Sequence, residues 1–366
     1  MSEFNIKKQI RALYASAMIG NLTVTGAWVV LLSVRGFSLW QIGIAETVFH
    51  ITSLIFEIPS GLMADLYGRK KTLLLSSLSA FVASLVMVFS VNLSQVCLSI
   101  AIHALSYNFA SGSGDALAYD SLKKVGQEGT YEKYASNQSV LYRITGGIST
   151  LCAGLALLMG YKAAYLLSAL SHVIAFLVTL LLLEVETGAE PEEQKNGFFR
   201  GLVRYFADSL GFLKEHPKAT ALMFLNSFVG AVDILLLFFL QSKLKTAGLS
   251  DMLLGPALFF MELGGVVGSR LILKAEKCKY VQVFVICCIG VFSGVLLEHT
   301  GAALFMVAGG FISAMADDAI QIRSDRKLQD MFPSEQRATL ISISSFTFSV
   351  IMILLSPLAG WFFERW

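Results

Sequence analysis

The sequence predicts an all-α protein that crosses a membrane many times. Of its 366 residues, 55% are hydrophobic and 15% charged, whereas soluble domains carry about 25% charged residues. Mean hydropathy is +0.67. The apolar residues also gather in long runs. A bilayer core needs about 20 apolar residues per helix, and by that measure eleven spans lie near 12–33, 40–63, 72–90, 95–117, 137–158, 163–183, 218–241, 252–273, 280–297, 301–320 and 338–362. Finally, one long polar stretch divides the runs six and five. That predicts an N-terminal bundle over 1–183, a linker over 184–217 and a C-terminal bundle over 218–366.

The first eleven residues are short, polar and basic, and they lead into a full-length span, unlike a cleaved signal peptide. The linker opens acidic, with Glu184, Glu186, Glu190, Glu192 and Glu193. It then places Phe198, Leu202, Tyr205, Phe206, Leu210 and Leu213 at helical spacing, which predicts an amphipathic helix lying at the membrane surface. Basic residues set the orientation. With a cytoplasmic N-terminus, Lys7, Lys8, Arg11, Arg69, Lys70, Lys71, Lys123, Lys124, Lys133 and most later basic residues fall inside. Arg35, Lys162, Lys243, Lys245 and Arg365 fall outside. The chain is therefore expected in an inner membrane, with the lipid bilayer as its first partner.

Spans four and ten carry similar endings. Gly114-Asp115-Ala116-Leu117-Ala118-Tyr119-Asp120-Ser121 corresponds to Asp317-Asp318-Ala319-Ile320-Gln321-Ile322-Arg323-Ser324, and a basic loop follows each. Internal repeats of this kind are common in transporters.

Spans two and three are joined by Glu57-Ile58-Pro59-Ser60-Gly61-Leu62-Met63-Ala64-Asp65-Leu66-Tyr67-Gly68-Arg69-Lys70-Lys71. With Gly61, Leu62, Ala64, Asp65, Gly68, Arg69 and Lys70 in place, this stretch resembles the signature loop of the major facilitator superfamily. The Glu-Ile-Pro-Ser-Gly lead-in resembles drug-efflux-like bacterial members. The resemblance implies two pseudo-symmetric helix bundles and alternating access. It also implies a conformational latch of Gly61, Asp65, Gly68, Arg69, Lys70 and Asp120, in which Asp65 faces the start of span eleven (Pro333 to Ala338) and Arg69 meets Asp120. The other reading of the loop is a topology signal with a solvated Asp65. The superfamily has twelve spans, so the eleventh leaves the expectation open between a missing helix and a protein that works with eleven.

Ionisable groups inside spans usually face a cavity or a partner. Glu46 and His50 share a stripe of span two with Glu57, Asn226 and Asp233 share a face of span seven, and Glu262 sits in span eight. Glu46, His50, Asp233, Glu262 and Arg143 form the candidate substrate or proton site, with interhelical ties as the alternative. His103 and His172 are expected to be packing residues, and Arg143 to neutralise Asp115 or Asp120. Two departures from the family pattern weigh against a drug–proton antiporter. Asn108 stands where proton-coupled members carry Arg, and no proline lies between Ala135 and Leu158.

No P-loop, G-x-S-x-G or H-E-x-x-H occurs, and the five cysteines lack metal-ligand spacing. The sequence thus predicts no enzyme, no metal, no cofactor and no nucleic-acid partner. The expected function is secondary export of a small drug-like compound in exchange for protons. The alternatives are uptake of a sugar or organic acid and a non-transporting receptor of the same fold.

Overall fold

The computed structural model describes residues 4–185, 198–275, 277–331 and 337–365. Its elements are α1 (Ile6–Asn21), α2 (Trp28–Val34), α3 (Leu39–Tyr67), α4 (Arg69–Phe89), α5 (Leu93–Ala110), α6 (Ser113–Lys124), α7 (Tyr131–Leu151), α8 (Ala153–Met159), α9 (Tyr161–Leu180), α10 (Phe198–Glu215), α11 (Pro217–Thr246), α12 (Asp251–Lys274), α13 (Tyr280–Glu298), α14 (Ala303–Gln329) and α15 (Arg337–Arg365). The described residues contain no strand.

Eight of these helices are long and apolar enough to cross a membrane. A ninth span results if residues 128–151 and α8, bent by 44° at Cys152, are taken together. The count of eleven is therefore not recovered: spans one and four are broken. Between α1 and α2 the chain reads Leu22-Thr23-Val24-Thr25-Gly26-Ala27, in which the β-branched residues and Gly26 are weak helix formers. This break is pinned by hydrogen bonds. The Thr23 N–H donates to Ser149 Oγ at 3.1 Å, Ser149 Oγ donates to the Asn21 carbonyl at 3.2 Å, and the Thr25 and Ser168 hydroxyls pair at 3.1 Å. Span four breaks at Ser111 and Gly112, where Gly112 takes φ +74°. The helical spacing over 198–213 appears as α10, and the acidic residues 186–193 lie outside the described residues.

By their contacts the described residues form two units, and this grouping cuts across the division of the chain at 183 and 217. One unit holds the residues up to Gly26, Ile51–Cys152 and Met159–Arg204. The other holds Ala27–His50, Ala153–Leu158 and the residues from Tyr205 onward. Three contacts explain why α2 and the start of α3 belong to the second unit. The Ser33 and Ser242 hydroxyls pair at 2.6 Å, Trp28 meets Phe238 edge to face, and a Cβ on Gly43 would strike the backbone of Ser356 and Pro357.

In the first unit a core of Ala12, Leu13, Leu117, Ala118, Leu122, Tyr134, Leu182 and Val185 joins α1, α6, α7 and the residues after α9. In the second unit α14 is central. Val229, Ile272, Val283, Cys287, Val291, Ala316, Ala319 and Ile320 pack α11, α12 and α13 against it. The seam with α12 is built on glycine. A Cβ on Gly264 would land on the Phe311 carbonyl, and one on Gly268 on the Met315 carbonyl, so the backbones touch as small residues permit in membrane helices. Opposite faces stay apolar and uncovered. On α13, Val281, Val285, Ile289, Phe292 and Leu296 form an exposed stripe, the surface that hydrocarbon tails require.

The seam generates a test. Gly268→Val should cost about 1–3 kcal/mol through overpacking, read as a clear drop in the apparent Tm of the purified chain. Gly146→Ala, whose Cβ would meet nothing within 4 Å, should leave Tm unchanged or slightly raised.

Candidate functional site

The loop between α3 and α4 shrinks to one residue. Gly68 adopts φ +101°, a conformation that glycine enters without strain. The first N–H groups of α4 then need an acceptor, and a distant residue supplies it. The Glu184 carboxylate accepts from the Arg69 N–H at 2.9 Å and the Lys70 N–H at 3.0 Å. A Cβ on Gly68 would lie 2.5 Å from Glu184 Oε2, so both the backbone angle and this contact call for glycine. The negative charge also meets the positive end of the helix dipole. The bracket extends outward from there. The Arg69 guanidinium forms an ion pair with Asp120, Lys70 Nζ donates to the Leu180 carbonyl at 2.9 Å, and buried Gln9 bonds both backbone groups of Leu183.

Asp65 lies exposed in the last turn of α3. Of the segment expected to face it, Pro333 to Ala338, residues 333–336 lie outside the described residues. A Cβ on Gly61 would meet nothing within 4 Å. Glu184, read from sequence as one acid of the linker, is the residue that reading missed. It lies 115 positions from Arg69, beyond any local pattern.

In the second unit a ladder of polar side chains runs between α11 and α14. Asn226 Nδ2 donates to Gln321 Oε1, and Gln321 Nε2 donates to Asp317 Oδ1 at 3.1 Å. Gly230 leaves the room: a Cβ there would collide with the Gln321 amide. Asp233, one turn further along α11, is 5% exposed and within electrostatic reach of Asp317 and Asp318, with Ser313 beside it. Among the described residues, Asp233 Oδ1 and the fully buried Ser313 hydroxyl have no hydrogen bond of good geometry. Neither Asp233 nor Asp317 forms an ion pair among the described residues. The sequence singled out Asp233, but it showed Asp317 and Asp318 only as marks of an internal repeat.

The other predicted site residues lie elsewhere. Glu46 and His50 contact each other at 3.3 Å, and the His50 ring packs edge-on against Phe49 and Phe348. Glu262 is exposed on α12, outside the ladder. Arg143 is exposed on α7 and pairs with neither Asp115 nor Asp120 among the described residues. The five basic residues assigned to outer loops are all engaged. Lys243 meets Glu298 at 3.1 Å and Lys245 meets Asp251, while Arg35, Lys162 and Arg365 sit over Phe37, Tyr161 and Trp361.

The first unit holds a partly open cavity of about 500 Å³. Its lining comes from α1, α4, α5, α6, α7 and α9, and it includes Ser16, Asn21, Ser76, His103, Tyr107, Asp115, Gln138, Tyr142 and His172. His103 and His172, expected as packing residues, both face it.

The Glu184 cap is testable. Glu184→Ala should cost about 1 kcal/mol, as loss of a helix cap does, lowering apparent Tm by about 2 °C. The exposed control Glu128→Ala should not change it.

Comparison with known proteins supplies the remaining findings. The chain is 23% identical over 328 residues to the uncharacterized MFS-type transporter YxaM of Bacillus subtilis (strain 168), covering 87% of this chain and 79% of that protein. Its fold resembles the nucleoside transporter NupG, with TM-score 0.74, 16% identity, and coverage of 99% of this chain and 91% of the other. It also resembles a D-xylose-proton symporter, with TM-score 0.72, 11% identity, and coverage of 96% and 89%. Residues 12–322 match the family model of the Major Facilitator Superfamily. Matched across most of its length, and built from helices with lipid-facing stripes, the chain belongs to the Major Facilitator Superfamily and is a multi-pass membrane transporter, not an enzyme.

Proposed function

We propose that the chain moves a small organic solute across the membrane by alternating access, coupled to protons through Asp233 and Asp317. The observation that carries this reading is the pair of buried carboxylates with no basic partner among the described residues. Two such groups side by side repel when both are charged, and inside a membrane the cost rises further. A proton arriving at the pair removes that repulsion and a proton leaving restores it, so its occupancy biases the packing of α11 against α14. The coupling works through this bias, because a ligand shifts a conformational equilibrium by its differential affinity for the two states.

Polar, neutral solutes are the preferred cargo, supported by the hydroxyl-rich cavity of the first unit and by the nucleoside and D-xylose carriers of similar fold. A second reading, export of a drug-like organic cation, is favoured by the three carboxylates Asp233, Asp317 and Asp318 on facing helices. The latch role of Gly61, Asp65, Gly68, Arg69, Lys70 and Asp120 rests on the loop's family resemblance. A cytoplasmic N-terminus in an inner membrane is supported by the charge distribution.

In proteoliposomes with an imposed pH gradient, labelled uridine or D-xylose should accumulate. Asp233→Asn and Asp317→Asn should each abolish gradient-driven accumulation while solute counterflow persists. Accumulation that survives both substitutions would remove this coupling site. Gradient-driven movement of ethidium, with neither neutral solute carried, would favour the cation reading.

A further inference from the structure

We infer that the cavity within the first unit is a binding site for a neutral, hydroxyl-rich solute. The inference deepens the transport reading and rests on it for the solute's passage, but the binding itself is separable. A cavity of about 500 Å³ falls in the range of small-molecule sites, roughly 300–1,000 Å³. A void inside a bundle would ordinarily be apolar, or absent at the packing density of protein interiors. This one is partly open, and its mainly apolar wall carries polar groups from several helices, as small-molecule sites do.

The hydrogen bonds of those groups define what fits. Ser76 Oγ donates to the Ser106 carbonyl at 2.8 Å, and Ser77 Oγ donates to the Leu73 carbonyl at 3.3 Å. Both hydroxyl protons are thus engaged by helix carbonyls, leaving oxygen lone pairs to accept. Gln138 Oε1 is buried and has no hydrogen-bond partner among the described residues. These groups offer acceptors on their part of the wall, and their complement is a ligand carrying O–H or N–H donors. Charge narrows the class. Neither lysine nor arginine lines the cavity, so a phosphate or carboxylate would be buried without a counter-charge, which is costly. The one lining carboxylate is Asp115.

Backbone geometry points to the same place. Both interrupted spans reach the cavity, one through Asn21 at the end of α1 and the other through Ser111 and Gly112 between α5 and α6. Non-helical backbone at membrane depth persists where protein covers it or where it lines a polar space. Discontinuous helices commonly form transporter substrate sites.

The test measures equilibrium binding to the full chain in lipid nanodiscs by calorimetry, with uridine and D-glucose as neutral probes. Uridine monophosphate and tetraphenylphosphonium serve as the anionic and cationic probes. At least one neutral probe should bind. Its affinity should fall tenfold or more in Gln138→Leu, which removes an acceptor at similar volume, and in Ala17→Leu, which fills the cavity from an apolar wall position. Each variant is to be used only if its unliganded Tm and monodispersity match the parent, and Ser77→Val stands in for one that fails. Binding of only the charged probes, of no probe, or of neutral probes with affinity unchanged in the variants would overturn the inference. Neutral binding without flux would uphold the site and sink the transport reading. Flux of a charged probe without neutral binding would do the reverse.

Discussion

Inside a bilayer a backbone N–H or C=O has no water to turn to, so every interruption of a helix needs a partner from the protein or a polar space. The architecture follows from how this chain meets that requirement. The break after α1 is tied to Ser149 and Ser168, and Thr25 and Thr23 supply the groups that reach them. The α3–α4 turn, reduced to Gly68, leaves the start of α4 to the Glu184 carboxylate. The break between α5 and α6 opens onto the cavity of the first unit. Where the chain keeps its helices whole, as in α12 and α14, backbone satisfaction is automatic and glycines let the helices touch.

The same requirement explains how much could be read from the sequence. Hydropathy marks long apolar helices well, and α3, α4, α9 and α11 to α15 stand where the runs predict them. It does not register a helix break made of apolar residues. Leu22 to Ala27 is hydrophobic enough to pass as part of a span, yet its threonines, valine and glycine favour extended or turning backbone. The Glu46–His50 contact was legible because i and i+4 neighbours share a helix face.

Contacts between distant segments were not legible. Asp233 carried an unusual charge in an apolar run and so drew notice, whereas its neighbours Asp317 and Asp318 drew notice only as part of the stretch that repeats Gly114 to Ser121. Only the packing of α11 on α14 brings the acids into one ladder. His103 and His172 read as packing residues for a similar reason. Nothing in one chain's periodicity says that α1, α4, α5, α7 and α9 leave a space between them. In each case the missing information was which helix faces meet.

The Glu184 cap also has a consequence for synthesis. The helix it completes begins at Arg69, and the capping carboxylate is made 115 residues later. Gln9 likewise waits for Leu183. A nascent chain can thread α4 into the membrane early, but its leading peptide groups stay uncapped until the sixth apolar run has left the ribosome. The first unit therefore closes as a late event in translation rather than helix by helix.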